Sequence, residues 1–231
     1  MYYKNNPDDI DNLLPMSHEE MVELYWQTSE NEPDMLADLY FDFHSFDKVE
    51  FLVFRGRLSS AIYVVRASTA AATRNLRLFK SIRSTGEHRI SGWEAESDHV
   101  LDEQEGVVSE AVSVAYGAAV LSAVAALETL IGDLLPSNVG PAGKSGLHRK
   151  FESLLRGTNI STDDRVSLME LVKTVAARRN AFAHELIGSY WQSPNERDNS
   201  TSYHIVFDEE TLEDTLFKIG EIATRLESLM S

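Results

Sequence analysis

Apolar residues recur at helical spacing along most of the chain, and this pattern predicts a helical bundle. Residues 107–135 are apolar on almost every side, so we expect a central buried helix there. Apolar positions three and four residues apart continue through residues 162–187 and again through residues 209–229. Proline and glycine in LPSNVGPAGKSG, residues 135–146, break the chain between helices. The predicted fold class is therefore all-α, an up-and-down bundle built on four long helices.

Three segments give weaker patterns. Residues 49–66 fit either two short strands around RGRLSS or one long helix with a weak point at Gly56. The helix is preferred because good helix formers follow in RASTAAATRNLRLFKSI. Residues 84–106 are acidic and indicate a loop. After Gly188, which should end a helix, SYWQ, the polar turn SPNERDNS and TSYHIVF predict a small β-hairpin before the last helix.

These elements divide the chain into three predicted parts. Residues 1–45 form an acidic N-terminal helical arm, which includes the capping sequence SHEE and a short helix after Pro33. Residues 46–100 form a basic long helix and the acidic loop. Residues 101–231 form the helical core.

Composition indicates a cytoplasmic globular protein. The chain has no cysteine, so disulfides, thiolate zinc sites and cysteine nucleophiles are excluded. Its first 15 residues lack the basic start and apolar run of a signal peptide. The longest uncharged stretch, residues 111–127, is too short and too weakly apolar to span a bilayer, so no membrane association is expected.

The net charge of −16 is distributed in blocks of alternating sign. Residues 51–92 carry 8 basic and 1 acidic side chains, and residues 137–184 carry 8 basic and 4 acidic ones. The other blocks are acidic. Either the positive blocks face a polyanion, or the blocks neutralise each other within the fold. If residues 46–82 are helical, Arg55, Arg66 and Arg77 form a basic stripe, because a spacing of 11 returns to the same helix face within about 20°.

Several familiar sites can be excluded from spacing. GPAGKS is too short for a phosphate loop and follows a helix rather than a strand. No histidines have metal-ligand spacing, so no metal or other cofactor is predicted. Glu128, a charge inside the apolar helix, needs a partner such as Arg178 or Arg179, or shares a polar edge with Glu110 about five turns away.

The strongest candidate chemistry lies in ARRNAFAHELIG, residues 177–188. It contains Arg179 and Asn180, followed by His184. On a helix Asn180 and His184 lie about 40° apart, whereas Arg179 and His184 lie about 140° apart. If both act on one phosphate, either the helix ends between them or a second copy supplies one of them. Alternatively, these are ordinary cations at a helix C-terminus, favoured by the macrodipole.

The motif Arg-Asn-x-x-x-His resembles that of HEPN domains, and it lies late in a long helix after an apolar, alanine-rich helix. The resemblance covers residues 104–231 and implies a HEPN-type bundle that cleaves RNA without a metal, by attack of the ribose 2′-OH on the adjacent phosphorus. It implies that His184 moves protons, that Arg179 stabilises the phosphorane, and that Asn180 orients either His184 or the phosphate. Lys173 and Arg178 are expected to contact RNA phosphates.

The same resemblance implies a tRNA or mRNA substrate, a homodimer with a composite active site, and a bacterial toxin–antitoxin or antiviral defence setting with a controlling partner protein. Leu186 stands where some toxins of this family carry a modified tyrosine, which argues against that form of control. The chain is also similar to mannitol-operon repressor-like proteins, so a non-catalytic dimeric regulatory module is the alternative. A structural subunit of a larger complex is a third possibility. The acidic arm is expected to shield a basic RNA-binding groove.

Overall fold

The computed structural model describes residues 36–136, 146–191 and 207–230, with the side chains of residues 184–191 excepted. The described residues form no strand, and their helices confirm the predicted all-α bundle. A 3₁₀ helix, Asp38–Phe41, precedes five α-helices. They are α1 (Val49–Thr85), α2 (Glu94–Leu134), α3 (Leu147–Arg156), α4 (Thr162–Trp191) and α5 (Glu209–Met230).

Helices α1 and α2 form a long antiparallel hairpin. Residues 49–66 are helical, as preferred from sequence, and α1 continues through Gly56 without a break. The expected loop over residues 84–106 is wrong beyond residue 93, because α2 begins at Glu94. Glu94 and Glu96 lie in its first turn, where the macrodipole favours acidic side chains. The acidic residues further along α2 are paired with a basic residue of α1, because Arg83 forms ion pairs with Asp102 and Glu105.

The turn of the hairpin is tied by a polar cluster. Asp98 accepts hydrogen bonds from Arg89 and makes a 2.6 Å contact with His88 Nε2. The hydrogen bond from the Arg89 guanidinium and, to a smaller extent, the one from His88 lower the pKa of Asp98 to about 2. Gly86 ends α1 with φ of 73°, a left-handed conformation that glycine adopts without strain.

The core lies where the first half of α1 and the second half of α2 pack against α3, α4 and α5. The described end of the predicted N-terminal arm belongs to this core. Tyr40, Phe41 and Phe46 are buried, and Phe41 contacts the rings of Phe46 and Phe54. The α5 helix passes so close to the 3₁₀ helix that Gly220 lies directly against the Tyr40 carbonyl. Residues 36–46 therefore fold with the bundle.

The α2 helix is buried on one side only, so the expectation of a helix buried all round is wrong. Its inner side is covered by the core, whereas Val107 and Val114 are 67% and 40% exposed. By length and composition this is the one described helix that meets the criteria for a membrane span, and half of its most apolar stretch is buried inside the protein. That pattern is compatible with a soluble protein.

The α4 helix passes Gly188 and ends at Trp191, so the expected stop at this glycine is wrong. Residues 189–191, assigned from sequence to the start of the β-hairpin, lie in the helix instead. The remainder of that predicted hairpin, up to residue 206, lies outside the described residues. So do Ser17–Glu20 and Pro33, on which the two N-terminal helices were predicted.

Ion pairs join the acidic and basic blocks of the sequence. Arg83 and Arg89 of the first basic block reach the acidic start of α2. Arg178 of the second basic block pairs with Asp214 of the acidic C-terminal block. Much of the local charge is therefore neutralised within the fold, which was one of the two interpretations left open by the sequence.

Candidate functional site

Arg179 lies on the side of α4 that faces the C-terminal half of α2. Its Nη1 donates to Glu128 Oε2 at 3.3 Å, and its Nε donates to Asn180 Oδ1 at 3.2 Å. The charge inside α2 is thus paired with Arg179, one of the two partners considered from sequence. Glu128 and Glu110 do share one helix face, but Glu128 is satisfied by residues from other helices.

Lys150 of α3 completes this group, which we name the Arg179 cluster: Glu128, Lys150, Arg179 and Asn180. The Lys150 ammonium donates to Glu128 Oε1 at 3.0 Å. Three helices therefore converge on one carboxylate. The side chains of Lys150, Glu128 and Arg179 are 17%, 22% and 29% exposed, so the cluster lies at the bundle surface and is partly shielded from water.

His184 lies on the same helix as Arg179, but at a different angle around it. Because α4 is continuous over Thr162–Trp191, the helix does not end between the two residues. The backbone positions of Arg179 and His184 are therefore about 140° apart around the axis, as expected from their spacing. Position 184 lies instead on the face of Lys173 and Asn180. Its side chain lies outside the described part of the structure.

The two residues expected to contact RNA phosphates have different environments. Arg178 points to α5, where it donates to Thr215 Oγ1 at 2.8 Å and pairs with Asp214. Burial raises the pKa of Asp214, but hydrogen bonds from Lys218 and Arg178 outweigh burial and leave this pKa below its usual value. Arg178 thus links α4 to α5 through these contacts. Lys173 is 67% exposed and lies 3.6 Å from Glu170.

Arg55, Arg66 and Arg77 lie on one face of α1, as predicted, but the positive charge along this face is not continuous. Arg55 is 28% exposed and lies 3.5 Å from Asp38 of the 3₁₀ helix. Arg77 is exposed, and Arg66 is partly buried. The end of the stripe nearest the core is thus neutralised by the segment that packs over it.

Sequence reasoning missed Lys150. It lies in the short amphipathic segment LHRKFESLLRG, and neither its spacing nor its neighbours distinguish it from other surface lysines. Only the packing of α3 beside α2 brings its ammonium to Glu128. Among the described residues, no group of three or more histidine, aspartate or glutamate side chains could hold a metal ion.

The chain matches no protein-family model, no curated protein and no solved structure. The chemistry of the site must therefore be argued from its own groups. A guanidinium has five N–H donors, and within the described structure the two contacts of Arg179 use two of them. The remaining donors are free to bind an anion such as a phosphate oxygen.

Proposed function

We propose that this protein is a metal-independent endoribonuclease whose phosphate-binding group is Arg179. The observation that carries the proposal is the Arg179 cluster, in which Glu128 and Asn180 hold the guanidinium at the bundle surface with donors to spare. A permanently charged, oriented fork of donors suits the charge that develops on a phosphorane. The HEPN-like motif residues Arg179, Asn180 and His184 supply the rest of the argument.

The continuous α4 helix bears on how the site is assembled. One copy does not direct positions 179 and 184 towards the same phosphate, because they diverge by about 140°. A homodimer resolves this if two α4 helices face each other across a two-fold axis, so that the arginine of one copy works with the histidine of the other. The active site is then composite. The cleft between the two α4 helices holds the arginine and the histidine of both copies.

The reaction is an internal transesterification. A His184 imidazole accepts the proton of the ribose 2′-OH as its oxygen attacks phosphorus, and a histidine of the other copy donates a proton to the departing 5′ oxygen. The products are a 2′,3′-cyclic phosphate and a 5′-hydroxyl end. Lys173, on the helix face of position 184, adds a phosphate contact outside the reacting centre.

The proposed substrate is tRNA or mRNA, and the proposed setting is a bacterial toxin–antitoxin or antiviral defence system in the cytoplasm. Such an enzyme needs a partner protein that restrains it until it is triggered. The support for this setting is the resemblance of the motif alone.

The test is incubation of the purified protein with total RNA in EDTA, beside Arg179→Ala and His184→Ala. Arg156→Ala, which removes an exposed arginine paired with Glu152, is the matched control. We expect cleavage with cyclic phosphate ends by the wild type and the control, and a loss of about 100-fold or more in both motif variants. Equal cleavage by all four proteins would refute the assignment of the site.

A second candidate function is a non-catalytic dimeric regulatory module of the mannitol-repressor-like kind. The observation that favours it is that Arg179 and Lys150 both form ion pairs with Glu128, as side chains with a purely structural role would do. If the wild type cleaves no RNA and its expression alone leaves cell growth unaffected, this function becomes the better explanation.

A further inference from the structure

Among the described residues, no other helix covers one side of the α1–α2 hairpin, which we name the outer face. It carries a groove of about 1130 Å³ between the two helices. Apart from Arg57 and Glu110, the exposed residues that line it are small or apolar, such as Val64 and Ser68 of α1 and Val107, Val114, Ala118 and Thr129 of α2. On α2 these positions lie on the opposite side of the helix from the core residues Val120, Val124 and Ile131.

The composition of the outer face is unlike that of a solvated helix surface. Val64, Val107 and Val114 are 62%, 67% and 40% exposed, and they lie along one continuous groove. Of the described residues that line that groove, two are charged, Arg57 and Glu110, in a chain of which 25% of residues are charged. A large apolar patch of this kind marks an interaction surface, because exposing it to water costs free energy.

The size of the outer face fits a protein partner. From Val100, which is 51% exposed, to Thr129 the α2 helix is about 43 Å long, and two helices side by side are about 20 Å wide. The resulting area of roughly 850 Å² is close to the 800 Å² or so that each partner buries in a stable interface. Small side chains along the centre allow another helix pair to approach closely.

The two charges indicate what that partner is. Arg57 and Glu110 line the groove from α1 and α2. Because Arg83 pairs with Asp102 and Glu105, the antiparallel register places Arg57 level with about residue 129, and Glu110 lies about 28 Å further along α2. Among the described residues neither side chain has an ion-pair partner. A two-fold axis that crosses the middle of the groove, near Ser68 and Ala118, exchanges its ends and brings Arg57 of one copy towards Glu110 of the other. The outer face is therefore self-complementary in charge as well as apolar.

We infer that a second copy of this chain binds the outer face, so that two α1–α2 hairpins pack into a four-helix layer. This contact does not depend on the proposed ribonuclease function, because no residue of the Arg179 cluster is among those that line the groove. If both contacts form, each chain takes part in two different two-fold interfaces, and the assembly closes as a tetramer when the two axes meet at right angles.

The test uses light scattering to compare the mass of the wild-type assembly with that of Ala118→Glu. Ala118 is exposed, so the new carboxylate leaves the folded monomer intact but is buried beside its symmetry mate in the interface. We expect the wild-type mass to be a multiple of 25.9 kDa and to fall by half in A118E. Ser109→Glu, on an exposed position of the same helix away from the groove, is the matched control and keeps the wild-type mass.

Cross-linking locates the contact independently. Because the chain has no cysteine, Ser68→Cys and Ser109→Cys each introduce a single thiol. We expect a short bis-maleimide to join two copies of S68C, which lies near the axis, and not of S109C. A monomeric wild type, or an unchanged mass in A118E together with no cross-link in S68C, overturns the inference. In that case another partner, or residues 1–35 of the same chain, covers the face. RNA cleavage decides the proposed function separately from both results.

Discussion

Glu128 shows how a single residue outside a motif determines what the motif presents to solvent. Its two carboxylate oxygens hold Lys150 and Arg179, each through one contact of 3.0–3.3 Å. Without this carboxylate, two cations would lie side by side in a partly shielded position, and each would repel the other. Glu128 is therefore a positioning residue for Arg179 in the proposed reaction.

Glu128→Gln tests this role. The amide keeps the size of the side chain but removes the charge that orients Arg179, so the guanidinium samples more conformations. We expect kcat for RNA cleavage to fall by about 10- to 100-fold with little change in KM, because misplacement of a positioned group costs rate rather than binding. Glu152→Gln, which removes an exposed i,i+4 partner of Arg156, is the control. An unchanged kcat in E128Q would show that Arg179 needs no such support.

Gly220 is a residue whose importance comes from a close approach of two backbones. A Cβ at this position would overlap the Tyr40 carbonyl oxygen, and this backbone atom has little freedom to move. We expect Gly220→Ala to lower the free energy of unfolding by about 3 kcal/mol or more. At Gly56 no atom lies within 4 Å of the corresponding Cβ. Gly56→Ala should therefore stabilise the protein by up to about 1 kcal/mol, and urea unfolding of both variants measures the difference.

Glu227 ties the end of α5 to the start of α1. Its Oε1 accepts the backbone N–H groups of Asp47 at 3.0 Å and Lys48 at 3.3 Å, and its Oε2 lies 2.8 Å from His44 Nε2. Burial raises the pKa of Glu227, but the hydrogen bond with His44 and those from the two backbone N–H groups outweigh it. The resulting pKa is below the usual value. The ionised carboxylate is thus the form that stabilises the fold.

Glu227→Ala is expected to lower the free energy of unfolding by about 1–2 kcal/mol at neutral pH, because it leaves two partly buried N–H donors without an acceptor. The depressed pKa means that the stabilisation by the ionised carboxylate is complete above the ordinary glutamate pKa of about 4.3. It is lost as the pH falls through the lower folded-state value. The gap in stability between the wild type and Glu227→Gln should therefore narrow on acidification. A constant gap from pH 7 to pH 3 would contradict this assignment.

At the scale of elements, the α1–α2 hairpin is unevenly supported along its length. The start of α1 and the end of α2 pack in the core. Beyond Val65, Ala72 is the one buried residue of α1. On α2, Leu101 is the one buried residue before Gly117. Polar ties at the turn, such as Arg89 with Asp98, are exposed and contribute little on their own.

Hydrogen exchange should report this difference. We expect amides of residues 68–114 to exchange about tenfold or more faster than those of residues 49–65 and 117–131, because the outer half of the hairpin opens without disrupting the core. Binding of a second copy to the outer face would slow this exchange, so the comparison is made on A118E. Uniform protection along both helices of that variant would contradict the expectation.

At the scale of the whole molecule, the charge blocks of the sequence become ion pairs between elements. The first basic block meets the acidic start of α2, and the second meets Glu128 and the acidic C-terminal helix. The locally positive surface is consequently smaller than the sequence indicates. The hypothesis of an acidic shield now concerns residues 1–35, since residues 36–46 fold with the bundle.

Deletion of residues 1–35 tests that hypothesis. This segment carries 9 acidic and 1 basic side chains, so its removal eliminates a net charge of −8. We expect RNA affinity to increase several-fold at low salt, and the gain to shrink at high salt as electrostatic interactions are screened. Equal affinity of the two proteins at every salt concentration would end the shield hypothesis.

The sequence by itself determined the helical class and most of the helices. Periodic apolar positions and good helix formers predict α1, α4 and α5, because local propensity and the position of the apolar face act in the same direction there. Two predictions from the sequence were wrong: the loop that was expected to continue past Glu94, and the helix end that was expected at Gly188. The acidic start of α2 is helical because basic residues of α1 lie beside it, and α4 passes its glycine at a cost of only about 1 kcal/mol.

Only the tertiary structure decided how the candidate site and the outer face are built. The motif residues could be read from the sequence, but their surroundings depend on which helices become neighbours. Lys150 and Arg179 meet Glu128 although they come from three separate helices. Likewise, an apolar pattern all round α2 indicates burial without specifying what covers each side. Within the described chain the core covers one side and leaves the other bare, because the packing of helices depends on contacts between distant segments.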